Sequence, residues 1–127
     1  MKRNIEGMIK FLEPEFVFEN QMGKIRQLVS SGWSQINFIN SFPGSIRGGH
    51  YHKNNREMFF VISGKFNLVL KKYDRVESFL IKAEDMFVIE KNVSHSFEYL
   101  EEASLISMYD LGVEEKPIGK KDIYRDE

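Results

Sequence analysis

Three histidines stand in this chain, at His50, His52 and His95, and there is no cysteine. Thiolate chemistry is therefore excluded, and proton transfer or metal ligation falls to His, Asp, Glu, Lys, Tyr and Ser. His50 and His52 are separated by one residue, and side chains two apart on a β-strand project from the same face, so both rings can converge on one point. Glu57 follows the polar turn at 53–56 and opens the apolar run at 58–62, where an ionisable side chain needs a partner. His95 arrives after a further strand and turn, where a neighbouring strand can return a third imidazole.

Two chemistries suit this set. Histidine is matched to general acid–base work because an unperturbed pKa of about 6.5 keeps both forms available near neutrality. Three imidazoles and a carboxylate, His50, His52, His95 and Glu57, also suit one divalent zinc, manganese, iron or nickel ion, with open positions left for water or substrate. Spacing chooses neither between these chemistries nor among the metals. Glu57 reads as a metal ligand or as a carboxylate orienting a histidine, with an ion pair to Arg56 as the plain structural alternative. For the histidines the plain alternative is packing on strands. Arg47 precedes Gly48 and Gly49, which let the backbone approach a ligand, and its guanidinium suits phosphate; a solvated surface charge is the alternative.

Short apolar runs bounded by turn residues surround these positions, at 36–39, 58–62, 66–70, 78–81, 86–89, 96–100 and 104–109. That texture predicts an all-β sandwich or barrel. Phe66, Leu68 and Leu70 alternate with polar neighbours, as on a strand with one wet face, whereas 58–62 is apolar on both faces and belongs in two layers or at a subunit contact. The first thirty or so residues, broken by Pro14, give no helix, and Gly23–Arg26 reads as a turn into a short strand; 114–127 reads as a polar tail. With 127 residues and 42% hydrophobic content, one domain spanning 1–127 is expected. Eighteen basic against nineteen acidic residues leave a net charge of -1, which gives no pull toward nucleic acid or an anionic membrane. No apolar run has signal-peptide or membrane-span length, so a cytoplasmic location is expected. Eleven Phe in a chain this size predict a filled barrel core plus an apolar interface, hence a homodimer.

Gly44-x5-His50-x-His52-x4-Glu57-x6-Gly64 resembles the first cupin motif at every fixed position. The second motif aligns from Glu84 to Tyr99 and keeps His95, with Glu84, Glu90, Asn92 and Tyr99 in place of its Gly, Pro, Gly and Asn. Together the motifs span 44–99, and the resemblance implies a double-stranded β-helix (jelly-roll) barrel with His50, His52, Glu57 and His95 as its metal set. The segment Arg47–Lys53 is similar to that of the nucleotide-sugar 3,4-ketoisomerases (the WxcM-like cupins) and of the dTDP-4-dehydrorhamnose 3,5-epimerases. The end Lys121–Arg125 also resembles the ketoisomerase tail. This narrower resemblance implies an isomerase or epimerase acting on a dTDP-4-keto-6-deoxy sugar for surface polysaccharide synthesis. His50 and His52 would be catalytic and Arg47, Tyr51 and Lys53 would meet the substrate, with no metal required. Glu57, where the ketoisomerases commonly carry Gln, favours the other implied reading, a metal-binding cupin that activates dioxygen or binds a small ligand.

Overall fold

A computed structural model describes residues 2–115 and 120–126. Among them there is no helix, and none therefore long and apolar enough to cross a membrane. Every run expected to be extended is a strand: β4 (Gln35–Ser41), β6 (Glu57–Ser63), β7 (Lys65–Lys72), β8 (Arg75–Lys82), β9 (Met86–Ile89), β10 (Ser94–Tyr99) and β11 (Ala103–Tyr109). With β1 (Ile9–Phe11), β5 (Ile46–Tyr51) and β14 (Tyr124–Arg125), they form two antiparallel five-stranded sheets, ordered β1-β9-β6-β11-β4 and β14-β5-β10-β7-β8. The expected strand after Gly23 is β3 (Gly23–Gln27), hairpinned to β2 (Phe16–Asn20), and a short pair, β12 (Glu114–Glu115) and β13 (Lys120–Lys121), precedes the end.

Period-two patterning puts Phe66, Leu68 and Leu70 wholly inside, where they meet Phe59, Val61, Phe87 and Leu105 from the opposite sheet. Strand β6 is apolar on both faces because it has two cores to fill. Phe59 and Val61 point into the barrel, while Met58 and Phe60 point outward into a second cluster with Met86, Val88 and Met108. The chain's own Leu12, Leu28, Val29 and Trp33 pack on that outer cluster, leaving Met58 only 4% and Phe60 7% exposed. Most of this strand is thus covered within one chain, which removes it as a reason to expect a subunit contact.

The expected polar tail is another correction. Residues 116–119 and 127 lie outside the described residues, but 120–126 is strapped across the end of β5: β14 pairs with it, and Asp122 is only 2% exposed.

Candidate active site

Strands β5 and β10 carry the histidines. His95 sits opposite His50 in the ladder, but the next pair is Ser96 with Gly48, so Gly49 is the extra residue of a bulge. Gly48 makes that bulge possible: its φ is 105°, and a Cβ there would lie 2.4 Å from the His95 carbonyl oxygen. The three imidazoles come together with centroids 4.7 Å (His50–His95) and 5.2 Å (His50–His52 and His52–His95) apart. Glu57 reaches them from β6 in the other sheet, its Oε1 3.1 Å from His52 Nε2 and 3.4 Å from His95 Nε2. The structure therefore brings all four residues of the expected set into one buried cluster.

Two residues standing where the second motif has glycine lie in turns, Glu84 between β8 and β9 and Asn92 between β9 and β10. Glu84 and Asn92 have φ of 75° and 65°, in the left-handed region. Asn tolerates it readily, and the Glu84 carboxylate is fastened by Arg26 at 2.7 Å.

Main-chain carbonyls fix two of the rings. His52 Nδ1 donates to the Asp122 carbonyl at 2.7 Å and His95 Nδ1 to the Val93 carbonyl at 3.1 Å, so both Nε2 atoms face Glu57. His50 Nδ1, His95 Nε2 and Tyr99 Oη are buried without a hydrogen-bond partner, the 3.4 Å contact of His95 with Glu57 being a poorly aligned one. Burial, reinforced by the neighbouring His95 and His52, lowers the His50 pKa to about 4, so its ring is neutral at pH 7. For His52 burial pulls the same way but is outweighed by the hydrogen bond and charge of Glu57, which raise its pKa. The Glu57 carboxyl, though wholly buried, is held below its usual range by the two imidazoles.

His50, Glu57, His95 and Tyr99 lie on the wall of a cavity of about 470 Å³, a size suited to a small-molecule ligand. Arg47, Gly48, His50, Glu57, His95, Tyr99, Tyr109 and Arg125 line it, against an apolar wall that includes Ile39, Phe59 and Phe97. Arg47 is oriented by Ser41 Oγ at 2.8 Å and the Asn40 carbonyl at 3.3 Å. Glu57 faces imidazoles, whereas Arg56, its alternative partner, pairs with Asp110.

Three expected site residues do not line the cavity. His52 is 3% exposed and stands behind Glu57. Tyr51, one residue from His50 and so on the opposite face, stacks on Tyr124 at 5.6 Å, and the Lys53 ammonium lies 4.2 Å over the Tyr124 ring. Tyr51 and Lys53 clamp the C-terminal strap. Asp122 completes the clamp by accepting hydrogen bonds from Lys53 N, Asn54 N and Asn55 Nδ2 at 2.8–2.9 Å. Sequence reasoning missed Tyr99, Tyr109, Asp122 and Arg125 as parts of the site; the resemblance of 121–125 to a ketoisomerase tail was the one available signal.

Comparison with known proteins places this geometry. No curated protein matches the sequence. The fold is that of the TDP-quinovose 3,4-ketoisomerase from Campylobacter jejuni, with TM-score 0.78 and 18% identity over 96% of this chain and 95% of that one. It also matches a 3,4-ketoisomerase from Thermoanaerobacterium thermosaccharolyticum solved with TDP-4-keto-6-deoxyglucose (TM-score 0.75, 13% identity, 97% and 90% coverage). The dTDP-4-dehydrorhamnose 3,5-epimerase from Bacillus anthracis is similar over 80% of this chain and 71% of that one, with TM-score 0.65 and 21% identity. The cupin-type barrel expected from the first motif is thus the fold. Residues 19–110, which hold all four side chains of the cluster, match the polysaccharide biosynthesis C-terminal domain, and the chain belongs to that family.

Proposed function

We propose that this protein is a single-domain sugar-nucleotide isomerase or epimerase that moves a proton next to the ketone of a dTDP-4-keto-6-deoxy sugar, in surface polysaccharide synthesis. The observation that carries the reading is His50: a neutral imidazole with an unpartnered Nδ1, on the wall of a cavity that also presents the Arg47 guanidinium. The fold it shares with a 3,4-ketoisomerase solved in complex with TDP-4-keto-6-deoxyglucose and with a TDP-quinovose 3,4-ketoisomerase supports the same reading.

His50 takes the carbon-bound proton α to the ketone: the C–H bond breaks, an N–H bond forms, and the electron pair passes to the carbonyl oxygen. A ring this weakly basic needs that oxygen stabilised. Tyr99 offers an O–H for it, because its hydroxyl is buried without a hydrogen-bond partner and burial raises its pKa, keeping it protonated. For the keto group to move, protonated His50 delivers its proton to the former carbonyl carbon, the Tyr99 hydroxyl protonates the former carbonyl oxygen, and the neighbouring C–OH gives its proton back to the tyrosinate as it becomes the new ketone. His52 touches no ligand in this scheme; it holds Glu57, and Glu57 borders the base. Solvent deuterium exchange into the keto sugar tests the reading. It should proceed in the wild type and fall by about 10²–10⁴-fold in His50→Asn with the fold intact.

A second reading, a metal-binding cupin, is favoured by the ring nitrogens of the three histidines, which lie within 4.8 Å of one another with Glu57 beside them. Pinned Nδ1–H groups leave His52 and His95 Nε2 aimed at one point, as ligating imidazoles are. His50, His52, His95 and Glu57 would hold zinc, manganese, iron or nickel, which when bound supplies Lewis-acid or dioxygen chemistry. Chelator-treated protein that still exchanges deuterium excludes a catalytic role for such an ion.

A cytoplasmic location fits a nucleotide-sugar substrate. A homodimer is supported by the β2–β3 hairpin, which among the described residues pairs with no other strand and leaves Phe16, Val17 and Phe18 each about half exposed (54%, 46% and 48%). Sedimentation at micromolar concentration tests it, and a monomer refutes it.

A further inference from the structure

Six arginines occur in the chain. Four of them face carboxylates: Arg3 and Arg75 meet Glu77, Arg26 meets Glu84 and Arg56 meets Asp110. Among the described residues the other two, Arg47 and Arg125, have no carboxylate partner, and these are the two that line the cavity. A guanidinium has five N–H donors. Arg47 spends two on Ser41 and Asn40, and Arg125 spends one on the Gly48 carbonyl at 2.8 Å. The rest of each fork is available to an anion, and Glu57, the carboxylate in the cavity wall, is already committed to His52.

Arg125 is also held in place, which separates it from a stray charge on a chain end. It pairs with His50 across β14 and β5. On one side of it Asp122 is anchored by three hydrogen bonds to residues 53–55, and on the other Asp126 N donates to the Gly49 carbonyl at 2.9 Å while Asp126 Oδ2 accepts from Ser94 Oγ at 2.6 Å. Tyr124 is stacked on Tyr51. A guanidinium fixed in this way binds without first being ordered.

We propose that the C-terminal strap is a wall of the site and that Arg125 is its second anion-binding residue, acting with Arg47, which lines the same cavity, to hold the diphosphate of a nucleotide-linked ligand. The identity of that ligand rests on the sugar-nucleotide reading; the anion-binding role does not. The competing account is that Arg125 merely latches the strap to Gly48.

Calorimetric titration of thymidine diphosphate and of inorganic pyrophosphate, at low and at moderate salt, separates these possibilities. The set comprises wild type, Arg125→Ala, Arg125→Gln, Arg47→Ala and, as control, Arg75→Ala. The Gln variant keeps an N–H for the Gly48 carbonyl but carries no charge, so both Arg125 variants should lose about tenfold or more in affinity, together with part of the salt dependence. Arg75→Ala should bind as wild type does. Pyrophosphate binding that depends on Arg125 places the contact on the diphosphate; dependence seen with the nucleotide alone overturns that assignment. If both Arg125 variants bind within about twofold of wild type, or if Gln restores what Ala loses, Arg125 is a latch and the proposal fails. Wild type that binds neither ligand at millimolar concentration overturns the proposal and the sugar-nucleotide reading together. Arg125-dependent binding without deuterium exchange in a keto sugar upholds Arg125 and sinks only the isomerase.

Discussion

Replacing Asp122 by Ala removes a carboxylate that is 2% exposed and accepts three hydrogen bonds, from Lys53 N at 2.9 Å and from Asn54 N and Asn55 Nδ2 at 2.8 Å. Bonds to a charged group are worth about 1.5–3 kcal/mol each, but the two freed amides regain water once the strap lifts, so the net loss should be about 3–4 kcal/mol. For a chain of this size that lowers Tm by about 10–15 °C. The sign of the pH dependence follows from the carboxyl, which burial raises but the Asn55, Lys53 and Asn54 donors lower to a net pKa below its usual value. Its stabilisation is full above the unfolded pKa of about 4 and is lost as pH falls through the lower folded value. Urea unfolding followed by the emission of the single tryptophan, Trp33, should therefore show a large gap between wild type and Asp122→Ala at pH 7, narrowing under acid. A gap below about 1 kcal/mol at pH 7 would refute the claim that this carboxylate anchors the strap.

Other variants probe the frame of the site. Gly48→Ala meets both a φ of 105° and a carbonyl oxygen at 2.4 Å, so a loss of about 3 kcal/mol or more in thermal unfolding is expected, together with loss of the His50–His95 apposition. Tyr73→Gly relieves a φ of 55° at the first residue of the two-residue β7–β8 turn, where the tyrosine is 95% exposed, and should stabilise by about 0.5–1.5 kcal/mol in the same assay. His50 binds its proton more weakly folded than unfolded, so it withdraws stability as pH falls from 6.5 toward about 4. His50→Asn should flatten the stability profile across that interval, and an unchanged slope would contradict the burial argument.

Local rules made much of this molecule readable. Period-two patterns marked β7, short apolar runs marked the other long strands, and a one-residue gap put His50 and His52 on one side. The second motif pointed to His95 although its glycines are replaced: Glu84 and Asn92 take left-handed φ, which costs an ordinary residue only about 1–2 kcal/mol, and Arg26 fastens the Glu84 carboxylate. The strap was hidden for a different reason. Asp122 is buried because its donors come from residues 53–55, some 67–69 positions earlier, and no periodicity within 114–127 encodes a partner so distant. The contacts of Tyr51 and Lys53 were hidden for the same reason, since the ring they meet belongs to Tyr124.

That distant contact also decides which chemistry the histidines can do. His52 must donate from Nδ1 to the Asp122 carbonyl, so its Nε2, 3.1 Å from Glu57 Oε1, faces the carboxylate as a bare lone pair unless a proton or a cation lies between them. A proton there makes His52 a cation paired with Glu57 and leaves His50 as a neutral base at the cavity; a metal ion there would recruit all three rings as ligands. Imidazole ¹⁵N shifts of chelator-treated protein distinguish the two. The proton reading expects His52 to stay protonated on both nitrogens to a higher pH than His50, because Glu57 raises the one while burial and neighbouring rings lower the other. Added zinc that leaves both titrations in place, with deuterium exchange intact, agrees with proton transfer as the working chemistry. If instead His52 titrates below His50 in the metal-free protein, Glu57 is not holding a proton there, and the cluster is better explained as a ligand set.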